Sequence, residues 1–342
     1  MNERRVVDRA CVNDQRRTRM LTGRRNFLKL TAGLVTSASL APRISVAQPA
    51  VKIGTAVLAD YGLAGPVIIA AEKGFFKEQG VNAEFLPFRG GPDLLKAVMV
   101  GEVLIGVTGS TDIIQFREAG SPIKMVATHG EGNNFVIVTS PDGPAIGELK
   151  GKAIGVTRPG SASWILTRMA VKAQGWDPDR DVKILGLGGL DAQLAALTRK
   201  EIAAFIWGDY GGVSVAQGRT KVIFKVETIT PKWISFIEYS SEDQIKKNPE
   251  QVRGSIRAMF QAFKFMKANP EESARITSAK LGWSPDVVLA VHKGWLPIAP
   301  TDGRIDVEAL RVMQDTLLES GTIKKRLPLD EHYTTEFTPV RL

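Results

Sequence analysis

The sequence predicts an α/β protein of two lobes, each a mainly parallel sheet with flanking helices. Three observations lead there. Short β-branched runs alternate with longer helical patterns, which is the sign of βαβ units. The strands are too many for one small sheet. The pattern also restarts near residue 150.

Taken in order, residues 51–57 read as a strand. Pro66 is placed to open a helix as its first residue, followed by Val67, Ile68, Ala70 and Ala71. Gly74 and Gly80 punctuate the chain, and 82–87 is a second strand. Pro92 opens a helix with Leu94, Leu95, Val98 and Met99 on one side. Residues 103–107 and 124–127 continue as strands. The second series runs strand 153–156, helix 161–174, strand 182–187, helix 191–199 and strand 202–207. The remainder is helical: Asn248-Pro249 is an N-cap followed by proline. Val252, Ile256, Met259, Phe260 and Phe263 then recur at helical spacing. Asn269-Pro270-Glu271-Glu272 restarts a helix with acids in its first turn, ending near Leu281-Gly282.

The chain of 342 residues carries a formal charge of +9, which suggests nucleic acid until the charge is located. Ten of the 45 Lys and Arg, and three of the 36 acids, fall in residues 1–47; the other 295 residues hold 35 and 33. A body so nearly balanced argues against a nucleic-acid partner. The single cysteine, Cys11, lies in the basic leader, so the body has no disulfide, thiolate metal site or cysteine nucleophile.

Within that leader, Thr22-Gly23-Arg24-Arg25-Asn26-Phe27-Leu28-Lys29 resembles a twin-arginine export motif. Residues 30–41 are weakly apolar and too short to span a bilayer, which needs about 20 residues. Ser45-Val46-Ala47 supplies a small-x-small cleavage site. Residues 1–47 are therefore expected to be a signal peptide with an N-terminal extension, cleaved near Ala47, and Met20 is a second candidate start. The mature protein is expected in the periplasm.

Enzyme motifs are missing. His129, His292 and His332 do not have the spacing of a helical zinc site, and there is no Gly-x-Ser-x-Gly elbow or phosphate-binding Gly-x-x-x-x-Gly-Lys-Ser/Thr loop. Gly186-Leu187-Gly188-Gly189-Leu190-Asp191 begins like a dinucleotide loop but places Asp191 where the third glycine belongs. The expectation is no catalytic residue, no metal and no cofactor.

Ala71-Glu72-Lys73-Gly74-Phe75-Phe76-Lys77-Glu78-Gln79-Gly80-Val81 resembles a segment of the nitrate/sulfonate/taurine-type (NMT1/THI5-like) periplasmic substrate-binding proteins of ABC importers. Gly90-Gly91-Pro92-Asp93-Leu94-Leu95 with Val100-Gly101-Glu102 is similar to the same family, as are Glu148-Leu149-Lys150-Gly151-Lys152 with Pro159-Gly160-Ser161-Ala162-Ser163, and the stretch 197–207. Lys200-Glu201-Ile202-Ala203-Ala204 and Gly208-Asp209 depart from the family pattern. The resemblance implies a type II periplasmic binding protein fold with a hinged cleft. Lobe 1 would be 51–135 plus 236–342 and lobe 2 would be 136–235, with crossings near 133–138 and 233–239. It implies a monomer that delivers a small polar or anionic organic solute to an inner-membrane permease. The alternatives are a sensor presenting ligand to a membrane receptor, or a pyrimidine-precursor enzyme of the same fold. The second of these uses a cysteine-rich motif that this chain lacks.

In open parallel sheets, ligands bind outside the carboxyl ends of the strands. Those ends offer Asp60, Tyr61, Arg89, Gly109, Ser110 and Thr111 in lobe 1. In lobe 2 they offer Thr157, Ser161, Ser163, Trp207 and Asp209, and Trp233 lies at a crossing. The helix start after Pro159-Gly160 suits an anion, although Ser161 and Ser163 read equally well as caps. Arg89 suits a carboxylate or sulfonate. Asp60, Asp112 and Asp209 would instead suit an amine or hydroxyls, and the sequence leaves that choice open.

Overall fold

The structure is a computed structural model, and it describes residues 50–342 apart from 59, 231, 300 and 301. The twin-arginine segment, Cys11 and the cleavage site lie outside the described residues. In chain order the strands are β1 (Val51–Thr55), β2 (Ala83–Pro87), β3 (Ile105–Gly109), β4 (Ile123–Thr128), β5 (Val136–Thr139), β6 (Ala153–Val156), β7 (Lys183–Gly186), β8 (Ala204–Trp207), β9 (Lys221–Lys225) and β10 (Phe236–Ser241). The helices before β5 are α1 (Tyr61–Glu72), α2 (Phe75–Glu78), α3 (Gly91–Met99) and α4 (Thr111–Glu118). Next come α5 (Ala162–Ala173), α6 (Leu190–Thr198) and α7 (Gly212–Ala216). After β10 follow α8 (Glu242–Lys247), α9 (Pro249–Ala268), α10 (Pro270–Leu281), α11 (Pro285–Trp295) and α12 (Val307–Glu319).

Two five-stranded sheets result, ordered β2-β1-β3-β10-β4 and β7-β6-β8-β5-β9. Each is parallel except for one strand, β10 in the first and β5 in the second. β3, β5, β8 and β10 are buried along their whole length, as strands covered on both faces by helices must be. The chain passes from the first sheet to the second between Thr128 and Val136, and returns between Lys225 and Phe236. The two passes pair with each other: Glu131 bridges Ile234, Gly132 N donates to Trp233 O at 2.8 Å, and Ser235 N donates to Gly130 O at 2.7 Å.

One expectation is corrected. Pro66 does not open its helix: α1 starts five residues earlier, at Tyr61, with Asp60 as N-cap. A proline inside a helix has no N–H for the carbonyl four residues back, here Gly62. That carbonyl is satisfied from another element, because His129 Nε2 lies 3.0 Å from it. A carbonyl can only accept, so the imidazole donates.

Candidate ligand-binding cleft

Loops at the carboxyl ends of the two sheets face each other. A Cβ added at Gly109, the last residue of β3, would lie 2.7 Å from the Cβ of Ala162 at the start of α5. One at Gly90 would lie 3.2 Å from the Arg158 side chain, and one at Gly208 would lie 2.4 Å from Asp60 Oδ2. Arg158 also forms an ion pair with Asp93 from one loop set to the other. The cleft between the sheets is shut on these contacts.

Its centre holds two carboxyls. Asp60 caps α1, its Oδ1 accepting from Leu63 N at 3.3 Å, while Asp209 Oδ2, beyond β8, accepts from Gly62 N at 3.0 Å. The two side chains are neighbours and both are at least 95% buried, where two bare charges would be costly. Burial, reinforced by the neighbouring Asp209 charge, pushes the Asp60 carboxyl well above the usual range; burial raises Asp209 too, against the pull of backbone N–H groups and His129. Asp209 and Tyr210 both adopt left-handed backbone angles, φ 48° and 54°, an uncommon conformation in non-glycine residues.

A third carboxyl, Asp112, stands beside the start of α5. It accepts from Thr108 Oγ1 at 2.6 Å, and burial lifts it to about 7 against the pull of Thr108 and of the nearby Ala162 N–H. Thr157, Ser161 and Ser163, named above as candidates, bond to one another with Oγ–Oγ distances of 2.8 to 2.9 Å. Ser163 Oγ also accepts from Thr157 N, and Ser161 Oγ accepts from Trp164 N. These hydroxyls bond to one another, with Ser161 capping α5, and Asp112 is the adjacent carboxyl.

The other candidates fall elsewhere. Tyr61 is buried, its hydroxyl 2.5 Å from His292 Nδ1; burial lowers that imidazole to about 4, so at neutral pH it accepts from the tyrosine. Ser110 Oγ donates to Ile234 O in the returning pass, and Thr111 is buried in the first turn of α4. Trp207 is buried beside Asp209. Trp233 lines a separate hollow of about 210 Å³ with Lys232, Arg304 and Asp306, within the passes between sheets.

Arg89 is different. It is exposed and has no hydrogen-bond or ionic partner among the described residues. It lines a cavity of about 510 Å³ between Val57, Leu58 and Phe88 of one sheet's loops and Leu187–Ala192 of the other's. Gly189 caps α6 with no side-chain bond, so N–H groups of that first turn remain open toward the cavity rim, where Asp191 is exposed. Glu238 and Trp295, both fully buried, were missed by the sequence reading. Trp295 Nε1 and Asp209 Oδ1 each lie 2.7 Å from the position a Gly62 Cβ would take. Among the described residues no group of three His, Cys, Asp or Glu could hold a metal.

The family model described as NMT1/THI5 like matches residues 64–273. A putative binding protein of Brucella abortus is 27% identical over 259 residues, 75% of this chain and 78% of the relative. A putative aliphatic sulfonates-binding protein of Escherichia coli K12 is 24% identical over 313 residues, 89% of this chain and 95% of that one. Among solved structures, the alkanesulfonate-binding protein SsuA of Xanthomonas axonopodis pv. citri, bound to MOPS, superposes with a TM-score of 0.70 at 19% identity, covering 82% and 96% of the two chains. That likeness shows the two-lobed periplasmic binding fold.

Proposed function

The chain belongs to the NMT1/THI5-like family, and from that premise we propose that it is the extracytoplasmic solute-binding protein of an ABC importer. It captures a small organic anion between its lobes and hands it to the permease. Lobe 1 would comprise 51–135 plus 236–342, lobe 2 would comprise 136–235, and the protein would act as a monomer without catalysis. Export would follow the twin-arginine route, with cleavage after Ala47.

The observation that carries the reading is the 510 Å³ cavity between the two sheets' loops, with unpaired Arg89 on one side and the uncapped start of α6 on the other. A guanidinium and a helix start favour an anionic head, and Val57, Leu58, Phe88 and Leu187 favour an apolar remainder. The acids that argue for an amine are otherwise engaged, Asp60 beside Asp209 and Asp112 with Thr108. Sulfonate binding by relatives supports the same class.

The test is a thermal-shift series with ethanesulfonate, nitrate, an aminopyrimidine and benzoate. An organic anion at 100 times its Kd should stabilise the protein by about 2.7 kcal/mol. Stabilisation by the aminopyrimidine alone would overturn the anion assignment.

A further inference from the structure

His129 and Glu238 form a fully buried pair, Nδ1 to Oε1 2.7 Å, that the ligand cavity does not use. Its position is specific. His129 directly follows β4, where the chain leaves the first sheet, and Glu238 sits in β10, where it has returned. Backbone ties join the same two places: His129 N donates to Phe236 O at 3.0 Å. The ring is held between Phe236 and Phe263, with centroids 5.4 and 5.3 Å away.

From there the imidazole reaches the cleft. Nε2 donates to the carbonyl of Gly62, 3.0 Å away, which Pro66 leaves without its helical donor. That carbonyl belongs to the peptide whose N–H, on Leu63, donates to Asp60; the preceding peptide's N–H, on Gly62, donates to Asp209. One imidazole thus fixes the turn that presents both N–H groups to the interlobe carboxyls. Bonds in such a chain polarise one another.

We propose that His129 is a positioning residue for closure: braced by Glu238 at the two sheet-to-sheet passes, it orients the first turn of α1 so that Gly62 and Leu63 can grip the Asp60–Asp209 pair. Pro66 belongs to the device, because by withholding its N–H it gives the Gly62 carbonyl to the hinge side and not to the helix. The proposal rests on the closing-cleft reading but not on the identity of the solute.

Hydrogen exchange by mass spectrometry on the full chain, without added ligand, tests it. The double variant His129→Leu/Glu238→Leu removes the pair without stranding a buried charge. Protection of the Gly62 and Leu63 amides and of the 208–212 loop should fall at least tenfold, while β3 and β6 keep theirs. Adding Pro66→Ala restores a helical donor to Gly62 and should return that protection. Unchanged protection at Gly62 and Leu63 would overturn the proposal. So would loss spread evenly through the first sheet, which marks plain destabilisation, or a selective loss that Pro66→Ala does not repair. The single variant Pro66→Ala, read alone, should leave the 62–63 amides protected; loss there would likewise count against the device. An ethanesulfonate titration of the same proteins separates this outcome from failure of the anion assignment, since exchange is read without it.

Discussion

Asp112 and Ala162 meet across the cleft: a carboxyl on the first turn of α4 lies beside the backbone N–H of the first residue of α5. The helix start that the sequence offers to a ligand thus has a carboxyl from α4, on the other sheet, beside it. A helix start favours negative charge, yet burial dominates and lifts this carboxyl to about 7.

The sign of the resulting pH dependence follows. The folded pKa of about 7 lies above the unfolded value of about 3.9. The contribution to stability is complete below pH 4 and is lost as pH rises toward 7, because the unfolded chain releases a proton that the folded chain keeps. Asp112→Asn cannot ionise and keeps an acceptor for Thr108. Its melting temperature relative to wild type should climb by several °C between pH 4.5 and pH 8, on the order of a few kcal/mol. A difference that stays constant across that range would refute the shift.

The Asp60–Asp209 pair makes a second prediction, about closing and not about folding. One carboxyl caps α1, beyond β1, and the other stands beyond β8, so they come together only when the cleft shuts. Both are raised by burial in the shut state, so shutting takes up a proton. Ethanesulfonate, which does not titrate in this range, should bind roughly tenfold more tightly at pH 5.5 than at pH 8. Calorimetry in two buffers of different ionisation heat should register the uptake, and Asp209→Asn should flatten both effects. Affinity independent of pH, with no proton taken up, would remove the pair from the closing step.

Much of this fold is legible in the sequence because parallel βαβ units repeat. The strands at 51–57, 82–87, 153–156 and 202–207 each fall within three residues of an observed one. The sequence reading places no strand at β5, β9 or β10; β5 and β10 are the strands that run against their sheets, and β10 carries Glu238, Ser240 and Ser241. Two of its buried polar groups meet distant partners that no local pattern shows: Glu238 pairs with His129, and Ser240 Oγ donates to Leu104 O. The same limit applies to the cleft. Strand-end logic finds Asp60, Gly109 and Asp209, but not that Asp60 pairs with Asp209, or that Ser161 and Ser163 are spent on Thr157. Pro66 held a readable signal, since a proline inside a helix asks for a replacement donor; placing it at the helix start hid the question.

Arg89 offers a clean separation of affinity from stability. Its guanidinium is exposed and unpaired among the described residues, so Arg89→Ala removes no structural bond. Melting should change by less than about 0.5 kcal/mol. Affinity for an organic anion should fall at least tenfold, about 1.4 kcal/mol. Equal affinity in the variant would place the anionic head elsewhere in the cleft.

Export can be tested without a ligand. Arg24→Lys with Arg25→Lys keeps the charge but breaks the paired-arginine motif. Precursor should accumulate in the cytoplasm, and the mature wild-type protein should begin at Gln48. Normal export of the double variant would mean a different route.

Gly109 makes the sharpest steric test of closure. It ends β3, and a methyl added there would meet Ala162 Cβ at 2.7 Å, its next neighbour being the Phe135 ring at 3.9 Å. The clash is thus with the loop of the opposite sheet and leaves the first sheet's own packing alone. Carbon atoms attract best at about 3.5–4.0 Å, so the methyl must push α5 away by roughly an ångström. Gly109→Ala should hold the cleft ajar: a larger radius in small-angle scattering, no contraction with ethanesulfonate, and affinity reduced at least tenfold, with folding intact. Ala162→Gly deletes the other half of the clash, so the double variant should regain both contraction and affinity. A wedge variant that closes and binds normally would mean that Gly109 and Ala162 do not meet in the working cycle. Failure of Ala162→Gly to relieve the defect would place the cause within the first sheet and not across the cleft.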